Sequence, residues 1–377
     1  MYTSTVPSSG SPKHFVLDTT EVREQRRLES SHFSALIHAR KLLDDTVSIP
    51  ETVLLEYARH IRSEIASHYD SMKRDARELG RILDRTVSAG DVKVAEEGAA
   101  WEAWMRGHLP KLGVQVLPIP ELPHAIVLQR DLKRRKPFDE DGKGYRDTLI
   151  WESVLAAAER SSAQVVFVSR NHKDFAQKNG QLHPDLVADL VARGMPEDRV
   201  VYANGLKDVV EHHLFTRLPA MTEAARVKLE VAAQPNGWLK RWVEQELARH
   251  IGSVLLAELP PEAETGHVTK VKSVDGVVVT AAREVEGKTF AELEARITAD
   301  LASDRPASSF RVDPNQSTTM SLLQLAMTFM SAALLRDVKM TVRFAATITK
   351  ETVDSAEVWD ARLDPKPSIN LPSFARP

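Results

Sequence analysis

Four acidic residues stand where an extended segment ends or a helix opens. Asp18 closes the short apolar run that begins at His14, and Glu56 lies one turn into a long amphipathic helix. Asp147 opens the helix ahead of the most apolar strand, and Asp174 follows that strand in Ser169-Arg170-Asn171-His172-Lys173-Asp174-Phe175. Four carboxylates in one site would repel one another at neutral pH, and a hard divalent cation relieves that repulsion. The chain has no cysteine, which excludes disulfides, thiolate nucleophiles and zinc–thiolate sites, and its 13 histidines show no HxH or HExxH spacing. The remaining oxygen donors suit Mg²⁺ or Mn²⁺. Such a centre can activate water against a phosphodiester bond.

A basic run precedes the third acid. Arg130, Lys133, Arg134, Arg135 and Lys136 are followed by Lys143 and Arg146, in a segment that also holds Gly142 and Gly144. Arg134, Arg135, Lys136, Lys143 and Arg146 are the candidates for gripping a phosphate backbone. The net charge of −3 provides no global positive field, so any nucleic-acid contact must be local. Each signal has a plainer reading. An acid at a strand end can cap a helix, a basic run can be a solvated face, and Glu51 competes with Glu56. His172 and Lys173 read as exposed polar residues. Trp101, Trp104, Trp151, Trp238 and Trp242 read as core positions rather than base-stacking platforms.

These groups need a scaffold that gathers them. At 377 residues, 42% hydrophobic and 27% charged, the chain is long and apolar enough for two domains. Residues 1–13 are polar and read as a disordered lead-in. Strands are expected at His14 to Asp18, Val114 to Leu117, Gln164 to Ser169 and Arg199 to Tyr202. Helices are expected at Glu21 to Leu43, from Ser48-Ile49-Pro50-Glu51 onward, from Ala125, at Arg146 to Glu159 and at Pro184 to Arg193. The stretch from about Asp70 to His108 reads as a helical insertion. Alternating strands and helices imply a doubly wound parallel α/β sheet over residues 14–218. Residues 219–377 read as a helical linker and an α+β domain with antiparallel strands. There, a hairpin is expected at Asp275-Gly276, strands at Met340 to Thr349 and Glu357 to Leu363, and helices at Phe290 to Leu301 and Thr318 to Arg336. The most apolar stretch, Met320 to Leu335, is shorter than the roughly 20 residues of a membrane span. No membrane association is expected, and the location is expected to be cytoplasmic.

Four segments together carry a family resemblance. Val16-Leu17-Asp18-Thr19-Thr20, Ile49-Pro50-Glu51-Thr52-Val53-Leu54-Leu55-Glu56, Tyr145-Arg146-Asp147-Thr148-Leu149-Ile150 and Phe167-Val168-Ser169-Arg170-Asn171-His172-Lys173-Asp174-Phe175 resemble the acidic motifs of the PIN-domain nucleases, in chain order. The resemblance is closest to a bacterial PIN-like branch, includes Lys136-Pro137-Phe138 and Leu182-His183-Pro184-Asp185-Leu186, and covers about residues 14–216. It implies a PIN-like fold and a metal-dependent endoribonuclease using Mg²⁺ or Mn²⁺. Asp18, Glu56, Asp147 and Asp174 are the implied metal-site acids, with Asn171 beside them. Two positions depart from the pattern: Asn171 stands where many relatives have an acid, and Thr20 where an Asn is common.

The expected substrate is RNA, with single-stranded DNA the lesser candidate, and a toxin or defence role fits such an enzyme. The rival reading is a PIN-like module that binds RNA without turnover. An aspartyl phosphatase is disfavoured, because that chemistry wants an acid where Thr20 stands. The C-terminal domain is expected to self-associate or to bind a protein partner.

Overall fold

Apolar runs flanked by helices dictate the first layer of the molecule. The computed structural model describes residues 10–24, 27–234, 236–251, 265–304 and 333–363. They fall into two units, Met1–Leu218 and Pro219–Pro377. The first is built on five parallel strands, β1 Lys13–Leu17, β2 Thr46–Pro50, β3 Val114–Leu117, β4 Gln164–Val168 and β5 Val200–Ala203, in the order β3-β2-β1-β4-β5. Phe15, Val16 and Leu17 on β1 and Val165 to Val168 on β4 are buried without alternation, as central strands covered on both faces must be. The chain leaves β1 toward β2 and β3 and then returns to β4 on the other side. The carboxyl ends of β1 and β4 therefore flank a topological switch point, where open α/β sheets form their clefts.

The helices of this unit are α1 Thr19–Glu24, α2 Ser31–Leu43, α3 Glu51–Leu83, α4 Val94–Leu112, α5 His124–Leu132, α6 Tyr145–Arg160, α7 His172–Phe175, α8 Pro184–Ala192 and α9 Gly205–Asp208. The expected single helix from Glu21 to Leu43 is two. Leu28 takes a left-handed φ of 61°, and Ser30 then caps α2 by accepting a hydrogen bond from the Phe33 amide at 3.1 Å. Ser48-Ile49-Pro50 is not a helix start but strand β2, and the helix opens one residue later, at Glu51. Pairing with both β1 and β3 favours the extended conformation over the local cap signal. Lys13 belongs to β1 rather than to a lead-in, and its amide donates to Asp45 Oδ1 at 2.8 Å. Residues 1–9 lie outside the described residues.

The long helix α3 buries Thr52, Val53, Leu54, Tyr57 and Ala58 near its start and no residue after them. There it packs on α4, with the Tyr57 and Trp101 rings edge to face at 4.7 Å. Arg217 returns to the start of the fold and forms a two-pronged ion pair with Asp45, both contacts 2.8 Å, with both side chains buried.

The second unit contains α10 Glu223–Ala232, α11 Trp238–Glu246, α12 Ala248–Ile251 and an antiparallel sheet of β6 Thr265–Val285, β7 Lys288–Asp304, β8 Ala333–Thr349 and β9 Thr352–Leu363, in that order. Leu239, Val243, Leu247 and Ile251 form one helical stripe in a core with Leu293, Ile297, Val342 and Phe344. Two expectations fail here. Phe290 to Leu301 is strand, not helix, because Leu293, Ala295, Ile297 and Ala299 alternate inward with period two. Asp275-Gly276 is no hairpin turn but lies within β6, next to one of its four register shifts. The turn is Glu286-Gly287, whose φ values of 50° and 77° supply the two left-handed residues a tight hairpin needs. The helix expected at Thr318 to Arg336 falls largely outside the described residues, and Ala333–Arg336 belongs to β8.

Candidate active site

The switch point brings the first and last acidic segments together. The Asp18 amide donates to the Val168 carbonyl at 2.9 Å, which locks the end of β1 against the end of β4. Asp18 is 2% exposed, and its Oδ2 accepts hydrogen bonds from Ser169 Oγ at 2.6 Å and Thr20 Oγ1 at 2.9 Å. The Arg170 amide donates to Thr20 Oγ1, and the Asn171 amide donates to Ser169 Oγ, both at 3.0 Å. The turns after β1 and β4 thus form one hydrogen-bonded unit. Thr20, where an Asn is common, fills its place by holding the Asp18 carboxylate. Burial pushes Asp18 up, and the hydrogen bonds from Ser169 and Thr20 oppose that shift.

The remaining acids arrive on helices. Glu56, from the second turn of α3, accepts from Thr19 Oγ1 at 2.8 Å and is ion-paired with Arg146. Asp147 sits in the first turn of α6. Burial, and then the charges of Asp18, Asp174 and Glu56, push it up to about 7. Asn171 Nδ2 donates to Asp174 Oδ2 at 3.0 Å and lies 3.4 Å from Asp147 Oδ1, so an amide bridges the two acids where another acid would repel them. Lys136 Nζ contacts Asp174 Oδ1 at 2.9 Å.

The other sequence candidates lie in less direct positions. Glu51 is engaged by Arg106 at 2.6 Å, which leaves Glu56 as the acid that α3 contributes. Of the basic run, Lys136 and Arg146 reach the carboxylates, whereas Arg134 pairs with Asp131, Arg135 with Asp189 at 2.9 Å, and Lys143 with Asp141 at 3.4 Å. His172 and Lys173 are exposed. Trp151 is wholly buried, and its indole N–H donates to Asp189 at 2.9 Å. Sequence reasoning missed Ser169 and Thr19 as partners of Asp18 and Glu56; the one available signal is that each directly adjoins a strand end or the first acid.

The donor set fits a hard divalent cation in kind, since it offers oxygen ligands only. Among the described residues no three histidine, aspartate or glutamate side chains converge closely enough to ligate one ion. Lys136 and Arg146 occupy part of the charge balance instead.

The first unit is a parallel α/β domain with acidic side chains at the carboxyl ends of its central strands. The PIN domain family model matches residues 16–175, a span that contains all four acids. PIN domains are usually nucleases and generally use divalent metals. No curated protein and no solved structure gives a match. No described helix is long and apolar enough to cross a membrane.

Proposed function

We propose that the chain is a metal-dependent endoribonuclease that hydrolyses RNA phosphodiester bonds at the Asp18 pocket. The observation that carries this reading is the hydrogen-bonded unit at the ends of β1 and β4, in which Ser169 and Thr20 hold Asp18 while the Asn171 amide lies between Asp147 and Asp174. Asp18, Glu56 and Asp147 do not converge on one point as they stand and would have to close around Mg²⁺ or Mn²⁺ to hold it, with Asp174 completing the pocket. Bound there, the ion would activate a water and neutralise charge developing on the phosphate. Ser169 and Thr20 fix the Asp18 carboxylate, and Thr19 fixes Glu56. The Asn171 amide and the Lys136 ammonium hold the two Asp174 oxygens. Lys136 and Arg146, which pair with Asp174 and Glu56, would meet the incoming phosphate oxygens. In-line attack would leave a 5′-phosphate and a 3′-hydroxyl.

The direct test incubates labelled RNA, with single-stranded DNA in parallel, in Mg²⁺ or Mn²⁺ with the parent and with Asp18→Asn. The parent is expected to cleave RNA and the variant to lose at least ~100-fold in rate. Equal cleavage by the two sinks the assignment. Asn171, an amide at a position where an acid is common, favours a second reading, a module that binds RNA without turnover. Metal-independent binding with no product from the parent would establish it. A cytoplasmic location, and a second copy or protein partner for the C-terminal unit, belong to the same proposal.

A further inference from the structure

A cavity of about 180 Å³ lies between α5, α6 and α8 and belongs to none of the four acids. Arg130, Lys133, Arg135 and Arg193 line it together with Glu152 and Asp189, and Glu159 also pairs with Arg193 at 3.0 Å, which leaves one positive charge in excess. The acids fix the cations in place. Asp189 accepts from Arg130 Nη2 at 2.6 Å and from Arg135 Nη2 at 2.9 Å, and Glu152 is paired with Arg193. Arg130 is 6% exposed, so its guanidinium is both desolvated and immobile. Lys133 is exposed and has no ion-pair partner among the described residues. The volume is several times the ~30 Å³ share of one water. Forked guanidinium groups held rigid around such a space suit an oxyanion, since the ordering cost is met on folding. The cavity also adjoins the acidic pocket through a single residue. Arg130 Nε donates to the Lys136 carbonyl at 2.8 Å, while the Lys136 ammonium contacts Asp174.

We propose that this cavity is a second phosphodiester subsite, holding a backbone phosphate of single-stranded RNA next to the one that enters the acidic pocket. The proposal rests on the ribonuclease reading, and its test separates the two. Full-length protein in EDTA is titrated with fluorescein-labelled single-stranded RNA across a salt series, and anisotropy is read for the parent, Lys133→Gln, Lys133→Glu and the exposed second-unit control Lys228→Gln. Lys133→Gln should weaken binding ~3–10-fold and reduce the slope of log affinity against log salt by about one, with a larger loss for Lys133→Glu and none for Lys228→Gln. Parent affinity in both Lys133 variants overturns the subsite, as does a parent that does not bind RNA. A parent that cleaves RNA while the Lys133 variants bind normally loses the subsite and keeps the ribonuclease. Binding that depends on Lys133 without any cleavage does the reverse.

Discussion

The Asp18 carboxylate depends on two hydroxyls more than on any charge. Ser169 Oγ at 2.6 Å and Thr20 Oγ1 at 2.9 Å both donate to the same oxygen. Ser169→Ala should therefore leave the fold intact and weaken divalent-metal binding, or activity, ~10–100-fold. Calorimetric titration with Mn²⁺ checks it, and parent-like affinity would show that the hydroxyl is dispensable. His14 offers a second test at this scale. Its ring meets Ser48 Oγ at 2.7 Å in a buried position, and burial pushes its pKa down to about 4. Below about pH 6.5 the unfolded chain takes up a proton that the native chain refuses, so this contribution is complete above pH 6.5 and declines toward pH 4. The stability difference between the parent and His14→Gln should shrink by ~1.4 kcal/mol per pH unit through that window in urea titrations. A difference independent of pH would refute it. Asp18, Asp147 and Asp174 stand out in the sequence because each adjoins a strand end or a helix start. Ser169 was not legible as the partner of Asp18, since the contact spans 151 positions and exists only once β1 lies beside β4.

The elements read unevenly from the sequence, and the failures share a cause. β1 and β4 announce themselves as unbroken apolar runs, whereas β2 hides because Ser48 and Pro50 mimic a helix cap and only the neighbouring strands make the segment extended. Residues 290–301 carry helix-favouring Ala, Glu, Leu and Arg, yet their alternate burial is that of a sheet. Asp275-Gly276 has the chemistry of a turn but is overruled by pairing on both sides of it with β7. One element-scale prediction concerns the clasp between Arg217 and Asp45. Arg217→Ala would leave a buried carboxylate without its main partner and should cost ~3–5 kcal/mol in urea unfolding. A loss below ~1 kcal/mol would mean that water or Lys13 compensates.

At the scale of the molecule, every residue assigned to the acidic pocket comes from the first unit, and the core of α10 to α12 with β6 to β9 comes from the second. Residues 10–218 expressed alone should fold cooperatively and retain metal-dependent cleavage within ~3-fold of the full chain, as read by circular dichroism and RNA cleavage. Loss of cleavage in a folded fragment would assign the second unit a direct part in the reaction. That second unit carries a further consequence in its outermost strand. The four register slips along β6 interrupt and twist what would otherwise be a straight rim 21 residues long. A rim so interrupted is a poorer template along β6 for a neighbouring chain to extend.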